Sequence, residues 1–104
     1  MTGIELIAEE RRRQIEEEGW TPEHDIQHTH GEIASAAACY AMTESDRKHM
    51  AEITVREEDG TVKQCPVIWP WEQQWWKPAD RKKDLIRAGA LIAAELDRLI
   101  NSEQ

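Results

Sequence analysis

The first 18 residues carry apolar positions at the spacing of an amphipathic helix. Ile4, Ile7, Ala8 and Ile15 recur at steps that place them on one side of a helix. Thr2 and Glu5 stand at the spacing of a capping box, in which each side chain accepts a hydrogen bond from the other residue's backbone N–H. The pattern predicts a first helix that runs to about Glu18 and ends at Gly19.

Two further segments show helical spacing. Thr29 and Glu32 have the spacing of a second capping box, and the alanine-rich segment behind them, 33–41, predicts a helix that a neighbour can approach closely. Pro78 is expected to start the longest helix, from 79 to about 101. Its apolar residues predict a core-facing stripe, in which Gly89 is a candidate contact for the alanine-rich helix: Leu85, Ala88, Gly89, Ile92, Leu96, Leu99 and Ile100.

Residues 52–68 have a different pattern. β-Branched residues lie on both sides of Asp59-Gly60, a pair that strongly favours a tight hairpin turn. No repeat, low-complexity tract or long linker interrupts the chain. The expected fold is a single domain over residues 1–104 of the mainly α (α+β) class, with a three-helix core and an inserted two-stranded β-hairpin.

Size and charge narrow the function classes. A chain of 104 residues suits one domain with one core. The formal net charge of −8 makes double-stranded nucleic acid a poor partner, because affinity for it comes mainly from basic surface. No apolar run approaches the length of a membrane span and no signal peptide is legible, so a cytoplasmic location is expected. Cys39 and Cys65 fit no CxxC spacing and are predicted to be free thiols.

Histidines and carboxylates are concentrated in the segment EHDIQHTHGE, residues 23–32. His24 and His28 are four apart, a spacing by which two imidazoles on one helix face hold a transition metal, with Asp25 or Glu32 as an oxygen ligand. The alternative is that these polar groups satisfy helix ends and one another. No cofactor is required by the sequence. A divalent metal bound by His24, Asp25, His28 and Glu32 is therefore a possibility and not a requirement.

Tryptophan is concentrated in the segment WPWEQQWWKP, residues 69–78. It holds four of the five tryptophans of a chain that has no phenylalanine. Indoles on a connecting segment either fill the gap between helices or form the wall of a pocket. For Trp69 and Trp76 the two alternatives are equally supported. For the cluster as a whole we favour a pocket, in which Trp71 and Trp75 line one cavity with Trp20 and His24.

Cations follow the tryptophans at the start of the last helix. Lys77 and Arg81 stand next to the aromatic segment, where they could meet phosphate while the indoles stack on a base. The alternative is an ordinary solvated helix face, with Asp80 paired to Lys83 and Asp84 to Arg87. The candidate ligand-binding residues are therefore Trp20, His24, Asp25, His28, Trp69, Trp71, Trp75, Trp76, Lys77 and Arg81; no catalytic residue is predicted.

Two long strings of the sequence resemble a family of small uncharacterised proteins encoded by tailed phages and prophages. They are RRRQIEEEGWTPEHDIQHTHGEIASAAACYA and WPWEQQWWKPADRKKDLIRAGALIAAELDRL, which match the family's GW(T/S)PEHD, WPW, WWKP and LxxAGALIxAE elements. The resemblance covers nearly the whole chain outside the hairpin. It implies a phage accessory protein acting inside the host cell and supplies no activity.

A second resemblance is to the ryanodine-receptor-type repeat domain. That domain has the order E-R, GW, acid, histidine, proline-aromatic and D-R. A similar order occurs here at Glu10-Arg11, Gly19-Trp20, Asp25, His30, Pro70-Trp71 and Asp80-Arg81. This chain differs by about forty inserted residues and by the absence of the tyrosine-glycine after GW. This resemblance implies a ligand-recognition module and not an enzyme.

Three functions follow as hypotheses. The first is a binding module that sequesters a small nucleotide-like ligand, such as a host defence signal, without cleaving it. The second is a metal-dependent nucleotide hydrolase with Asp80 or Asp84 as a further ligand, but the ExxE and ExxD pairs of the all-α nucleotide pyrophosphohydrolases are missing. The third is an inhibitor of a host protein that acts through an acidic and aromatic surface. Homo-oligomerisation is left open.

Overall fold

The protein is mainly helical, as predicted. The computed structural model describes residues 1–20, 30–56, 58–60 and 62–102. The described elements, in chain order, are α1 (Gly3–Glu18), α2 (Glu32–Ala41), α3 (Glu44–Met50), β1 (Ala51–Arg56), β2 (Val62–Pro66), a 3₁₀ turn (Gln73–Trp75) and α4 (Arg81–Ser102). None of the helices in these ranges is long and apolar enough to cross a lipid bilayer.

Helix α1 has the predicted ends. Thr2 N donates to Glu5 Oε1 at 3.0 Å and Glu5 N donates to Thr2 Oγ1 at 3.2 Å, so the capping box is formed. At the other end Gly19 adopts φ 72°, a left-handed conformation that costs a residue without a Cβ little. The boundaries of this helix were therefore correctly predicted from its capping residues.

Helix α2 begins later than its predicted capping box. Its N-cap is Gly31, at φ 79°, and its first residue is Glu32. Thr29 lies outside the described residues. The buried side of α2 packs against α4 and consists of Ile33, Ala36, Ala37, Cys39 and Tyr40.

Helix α3 was not predicted. Its sequence, ESDRKHM, buries no residue and has no apolar periodicity. The local signals that it does carry are a cap, since Thr43 Oγ1 accepts from Asp46 N at 3.1 Å, and acids in its first turn with bases in its last. Strand β1 follows directly and pairs antiparallel with β2. Residues 57 and 61 of the expected hairpin turn lie outside the described residues, so the hairpin as a complete unit stays a prediction.

The predicted core stripe of α4 is wrong for its five large residues, although its member Ala88 is buried at 3% exposed. The side chains of Leu85, Ile92, Leu96, Leu99 and Ile100 are between 43% and 54% exposed. The helix instead buries its small residues Ala88, Ala90 and Ala94 together with Leu91 and Asp84. Small side chains let the alanines of α2 approach the axis of α4, which close packing of two helices favours. The helix is therefore turned about its axis relative to the predicted orientation.

Helix α1 packs on the other side of α4. A Cβ added at Gly89 would lie 2.5 Å from Ile7 Cδ1, so Gly89 faces α1 and not the alanine-rich helix as predicted. Further along, Arg11 Nη2 lies 3.2 Å from Asp97 Oδ2. The first helix therefore packs along the last.

A buried ion pair connects α3 to the start of α4. Arg47 Nη2 lies 3.0 Å from Asp84 Oδ2, and Asp84 is only 2% exposed. The other carboxylate oxygen accepts from Ala79 N at 2.8 Å. Asp84 is therefore a structural residue and does not form the predicted pair with Arg87. Two ion pairs within helices do form, Glu10–Arg13 in α1 and Glu95–Arg98 in α4.

Candidate functional site

The aromatic segment between β2 and α4 is held by short-range hydrogen bonds. The backbone carbonyl of Glu72 accepts from Trp69 Nε1 at 3.1 Å and from Trp75 N at 3.0 Å. Trp69 N in turn donates to Pro66 O at 3.0 Å. These bonds wrap the chain around Glu72, so that tryptophans separated in sequence are placed beside one another.

Four rings form a continuous series from the end of α1 to the inside of α2. The ring centroids of Trp20 and Trp71 are 6.4 Å apart, those of Trp71 and Trp69 are 5.4 Å apart, and those of Trp69 and Tyr40 are 5.8 Å apart. The last two pairs meet edge to face, an arrangement that favours contact between the positive edge of one ring and the negative face of the next. Trp69 and Trp71 therefore share one side of the segment, as expected from their spacing.

Trp76 belongs to the core. It is 0% exposed, and its Nε1 donates to Gln64 O at 2.7 Å. Its ring lies 4.8 Å from that of Tyr40, and the guanidinium of Arg47 lies 4.9 Å from the ring centroid. The prediction of Trp76 as a ligand-binding residue is not supported, because no surface of its side chain is open to a ligand; it fills the gap between helices.

A cavity of about 1030 Å³ opens beside the four-ring series. We call it the tryptophan cavity. Its floor contains the buried residues Ile33, Leu91 and Ala94, and its aromatic wall contains Trp20, Tyr40, Trp69, Trp71 and Trp75. The structure thus brings Trp20, Trp71 and Trp75 to one cavity, as the sequence suggested, while His24 lies outside the described residues. Trp75 is 58% exposed and stands at the rim.

Two cations line the tryptophan cavity. Lys77 Nζ lies 5.8 Å from the ring centroid of Trp75. Arg87 lies over the ring of Tyr40, 5.0 Å from its centroid, and donates to Lys77 O at 3.0 Å and to the Tyr40 hydroxyl at 3.3 Å. Among the described residues, neither cation has a carboxylate within ion-pair distance. The charge of Arg87 does help to lower the pKa of Glu10, after the larger effect of Arg13. An anionic ligand in the cavity can nevertheless contact both cations without displacing an ion pair.

Arg87 was missed as a site residue and Arg81 was predicted in its place. Arg81 donates to the carbonyls of Ala41 and Met42, at 2.7 and 2.8 Å, and so satisfies the end of α2. It lines a second, more polar depression and not the tryptophan cavity. Arg87 lies one helical turn before Leu91 and two turns before Ala94, so it shares their side of α4. This spacing indicates a position at the cavity only when the buried face of α4 is known.

A polar side chain lies at the buried end of the cavity. Gln14 lines the cavity and is 1% exposed. Its Nε2 donates to Glu10 Oε2 at 3.4 Å, and Glu10 is held by Arg13 at 2.7 and 2.8 Å. The Arg13 hydrogen bond keeps the pKa of Glu10 below its ordinary value, so this carboxylate is charged at neutral pH. Sequence reasoning missed Gln14, because a glutamine on an arginine-rich helix is usually solvated.

The backbone at the end of α1 is fixed to the same region. Trp20 N donates to Gln14 O at 3.0 Å, and Arg11 Nη1 donates to Trp20 O at 2.9 Å. Since Arg11 is also paired with Asp97 on α4, the position of the Trp20 backbone is tied to both helices. These contacts place the GW pair at the cavity.

Of the four predicted metal ligands, Glu32 alone lies within the described residues. His24, Asp25 and His28 lie outside the described ranges. Glu32 accepts from His30 N at 2.6 Å at the start of α2. Within residues 1–20, 30–56, 58–60 and 62–102, no group of three potential metal ligands is found. The metal hypothesis stays a prediction that concerns the segment 21–29.

Comparison of the chain with protein-family models, with curated proteins and with solved structures found no match. The resemblances drawn from sequence motifs therefore remain expectations.

Proposed function

We propose that this chain is a phage accessory protein that binds a small nucleotide-like ligand in the tryptophan cavity and sequesters it without cleaving it. The phage context and an anti-defence role are supported by the motif resemblance alone. The ligand class is supported by the chemistry of the cavity, which combines flat aromatic surface with unpaired cations.

The observation that carries this proposal is the position of Lys77 and Arg87 beside the indoles. The protein has a net charge of −8, yet these two cations have no carboxylate partner among the described residues. An acidic protein has many carboxylates with which to neutralise a surface cation. Leaving two cations together at an aromatic cavity is an arrangement suited to a planar anion, because charge-assisted hydrogen bonds to phosphate are stronger than neutral ones.

The two ends of the cavity suggest how a nucleotide would lie. The floor is formed by buried side chains, among them Ile33 and Leu91, and suits an aromatic base that stacks on Trp71 or Trp20. Lys77 is exposed and marks the rim. A ligand with its base inward and its phosphate at the rim would satisfy both ends. The volume of about 1030 Å³ accommodates a mononucleotide and also a larger, two-base ligand.

Binding without cleavage is proposed because the sequence lacks the carboxylate pairs of known helical pyrophosphohydrolases. The carboxylate of Glu18, at the cavity, is paired with Arg13 at 3.1 Å. Ligand recovered from the complex and analysed by ion-exchange chromatography should therefore be intact. Recovery of a shortened product would replace this proposal with the hydrolase hypothesis.

The binding test is a titration of mononucleotides, cyclic dinucleotides and ADP-ribose derivatives followed by tryptophan emission. Trp71→Ala should abolish binding with the fold largely retained. Arg87→Gln should weaken binding of a nucleotide by about tenfold or more, the value of one charge-assisted hydrogen bond, and should leave binding of the corresponding nucleoside nearly unchanged. Arg12→Gln is the matched control, since Arg12 is exposed and does not line the cavity. A flat response of the unmodified protein across the panel would overturn the proposal.

A second candidate function, contact with another protein, is favoured by the exposed apolar side of α4. Five large apolar side chains lie there: Leu85, Ile92, Leu96, Leu99 and Ile100. Contiguous apolar surface of this kind marks interaction sites more often than chance. Sedimentation equilibrium of the protein and of a Leu96→Glu variant would detect self-association, and a monomer in both cases leaves a different partner, such as a host protein, as the remaining form of this candidate.

A further inference from the structure

The buried amide of Gln14 has one half of its hydrogen-bonding capacity unmet. Among the described residues, Gln14 Oε1 is the buried side-chain polar atom that has no hydrogen-bond partner. Leaving such an acceptor unsatisfied destabilises the protein, because the group has lost its hydrogen bonds to water without a replacement. Because Gln14 also lines the tryptophan cavity, a ligand in that cavity is the natural source of the missing donor.

The orientation of this amide is set by its neighbours. A charged carboxylate only accepts hydrogen bonds, so the NH₂ group of Gln14 must face Glu10, and the carbonyl oxygen must face away from it. Glu10 is in turn fixed by two hydrogen bonds from Arg13. The series Arg13, Glu10, Gln14 therefore leaves the acceptor of this amide, and not its donor, without a partner.

The amide oxygen can meet a ligand with a small rotation. The oxygen itself is buried. The hydrogen bond from Nε2 to Glu10 is long, at 3.4 Å, and the last side-chain torsion of glutamine is broad. Turning the amide toward the cavity therefore costs little and keeps its NH₂ group near Glu10.

We infer that Gln14 determines which base the cavity accepts. Its amide oxygen would accept a hydrogen bond from an exocyclic amino group, such as the 6-amino group of adenine or the 4-amino group of cytosine. This inference rests on the proposed nucleotide-binding function. A base with a carbonyl at the same place, as in hypoxanthine or uracil, sets one acceptor against another and leaves both unpaired. Sites that use a buried polar group in this way discriminate more strongly than apolar pockets do.

Two pairs of nucleotides test the inference, because each pair exchanges the exocyclic amino group for a carbonyl. The exchange also turns the adjacent ring nitrogen from an acceptor into a donor, so the effect of Gln14→Met on the preference is the deciding measurement. Binding of adenosine monophosphate is compared with that of inosine monophosphate, and cytidine monophosphate with uridine monophosphate, by tryptophan emission. The amine member of at least one pair should bind about tenfold or more tightly, the effect expected for one buried hydrogen bond and one avoided clash of acceptors. Gln14→Met, which keeps the length of the side chain, should reduce this preference to less than about twofold. Gln73→Met is the matched control, since Gln73 is exposed and outside the cavity.

The outcomes separate the inference from the function on which it rests. Equal binding of both members of each pair by the unmodified protein would overturn the role of Gln14 and leave nucleotide binding standing. An amine preference that persists in Gln14→Met would do the same. If none of the four nucleotides changes the emission of the unmodified protein while another member of the wider panel does, the amine inference fails alone; if nothing in the panel binds, the proposed function fails with it.

Discussion

Replacing Trp76 with alanine should destabilise the protein severely. Trp76 is the largest of its fully buried side chains, at 0% exposed. Truncating a buried tryptophan to alanine costs about 3 to 5 kcal/mol through lost burial and the cavity left behind. Loss of the hydrogen bond from Nε1 to Gln64 O adds about 1 kcal/mol. Domains of this size have about 5 to 15 kcal/mol of stability in total, so the variant should lose a large share of it.

The measurement is urea unfolding followed by far-UV circular dichroism, because tryptophan emission changes with the substitution itself. For a domain of about 100 residues each kcal/mol shifts the melting temperature by about 4 to 8 °C, so thermal melts should fall by on the order of 20 °C. The matched control is Trp75→Ala. Trp75 is adjacent to Trp76 in the sequence but is 58% exposed, and its truncation should cost less than about 1 kcal/mol.

Similar losses for the two variants would refute this reasoning. If both were severe, Trp75 would belong to the core and the cavity rim would not be where the structure has it. If both were mild, Trp76 would not be the packing element that separates core from cavity. The comparison therefore also tests the division of the tryptophans on which the proposed function depends.

Three further predictions concern the framework. Asp84→Ala should cost about 3 to 5 kcal/mol in urea unfolding, because it leaves the charge of Arg47 buried without its partner; a loss below about 1 kcal/mol would contradict this. Gly89→Ala should cost about 1 to 3 kcal/mol through overpacking against Ile7, and the double variant with Ile7→Ala should lose less than the sum of the two single changes. Burial, with a smaller contribution from Cys65, raises the pKa of the Cys39 thiol to about 12, so the thiol is protonated in the folded protein and should react with a thiol reagent at about pH 8 only after unfolding. Since the folded pKa is the higher one, this thiol should lower stability only as the pH rises above its ordinary value of 9.0, and rapid labelling of the native protein would contradict its burial.

The sequence predicted those features that depend on neighbouring residues. The ends of α1 follow from Thr2, Glu5 and Gly19, whose capping chemistry is local. Helix α3 has a cap at Thr43 but no apolar stripe, and a short charged segment also depends on its tertiary contact through Arg47. Propensity and periodicity are weak guides for an element of this kind.

The orientation of α4 could not be predicted, because two of its sides were apolar. Large side chains such as Leu96 usually mark the core, yet the helix buries Ala88 and Ala94 against the alanines of α2. Which side wins depends on how closely two helix axes can approach, a property of the pair and not of either sequence segment. The same difficulty applies to the site: Trp75 and Trp76 are adjacent, and only the fold places one at the rim and the other in the core.

The packing of α1 on α4 has a consequence for how the chain folds. The Arg11–Asp97 pair joins residues 86 positions apart, and Gly89 receives the side chain of Ile7 across a similar separation. During synthesis α1 leaves the ribosome first but has no partner surface until nearly the whole domain has been made. Contacts of such long sequence separation slow folding, and unpartnered apolar surface binds other chains meanwhile. We therefore expect the nascent protein to depend on chaperones until α4 emerges, after which α1 and the cavity beside Trp20 can form together.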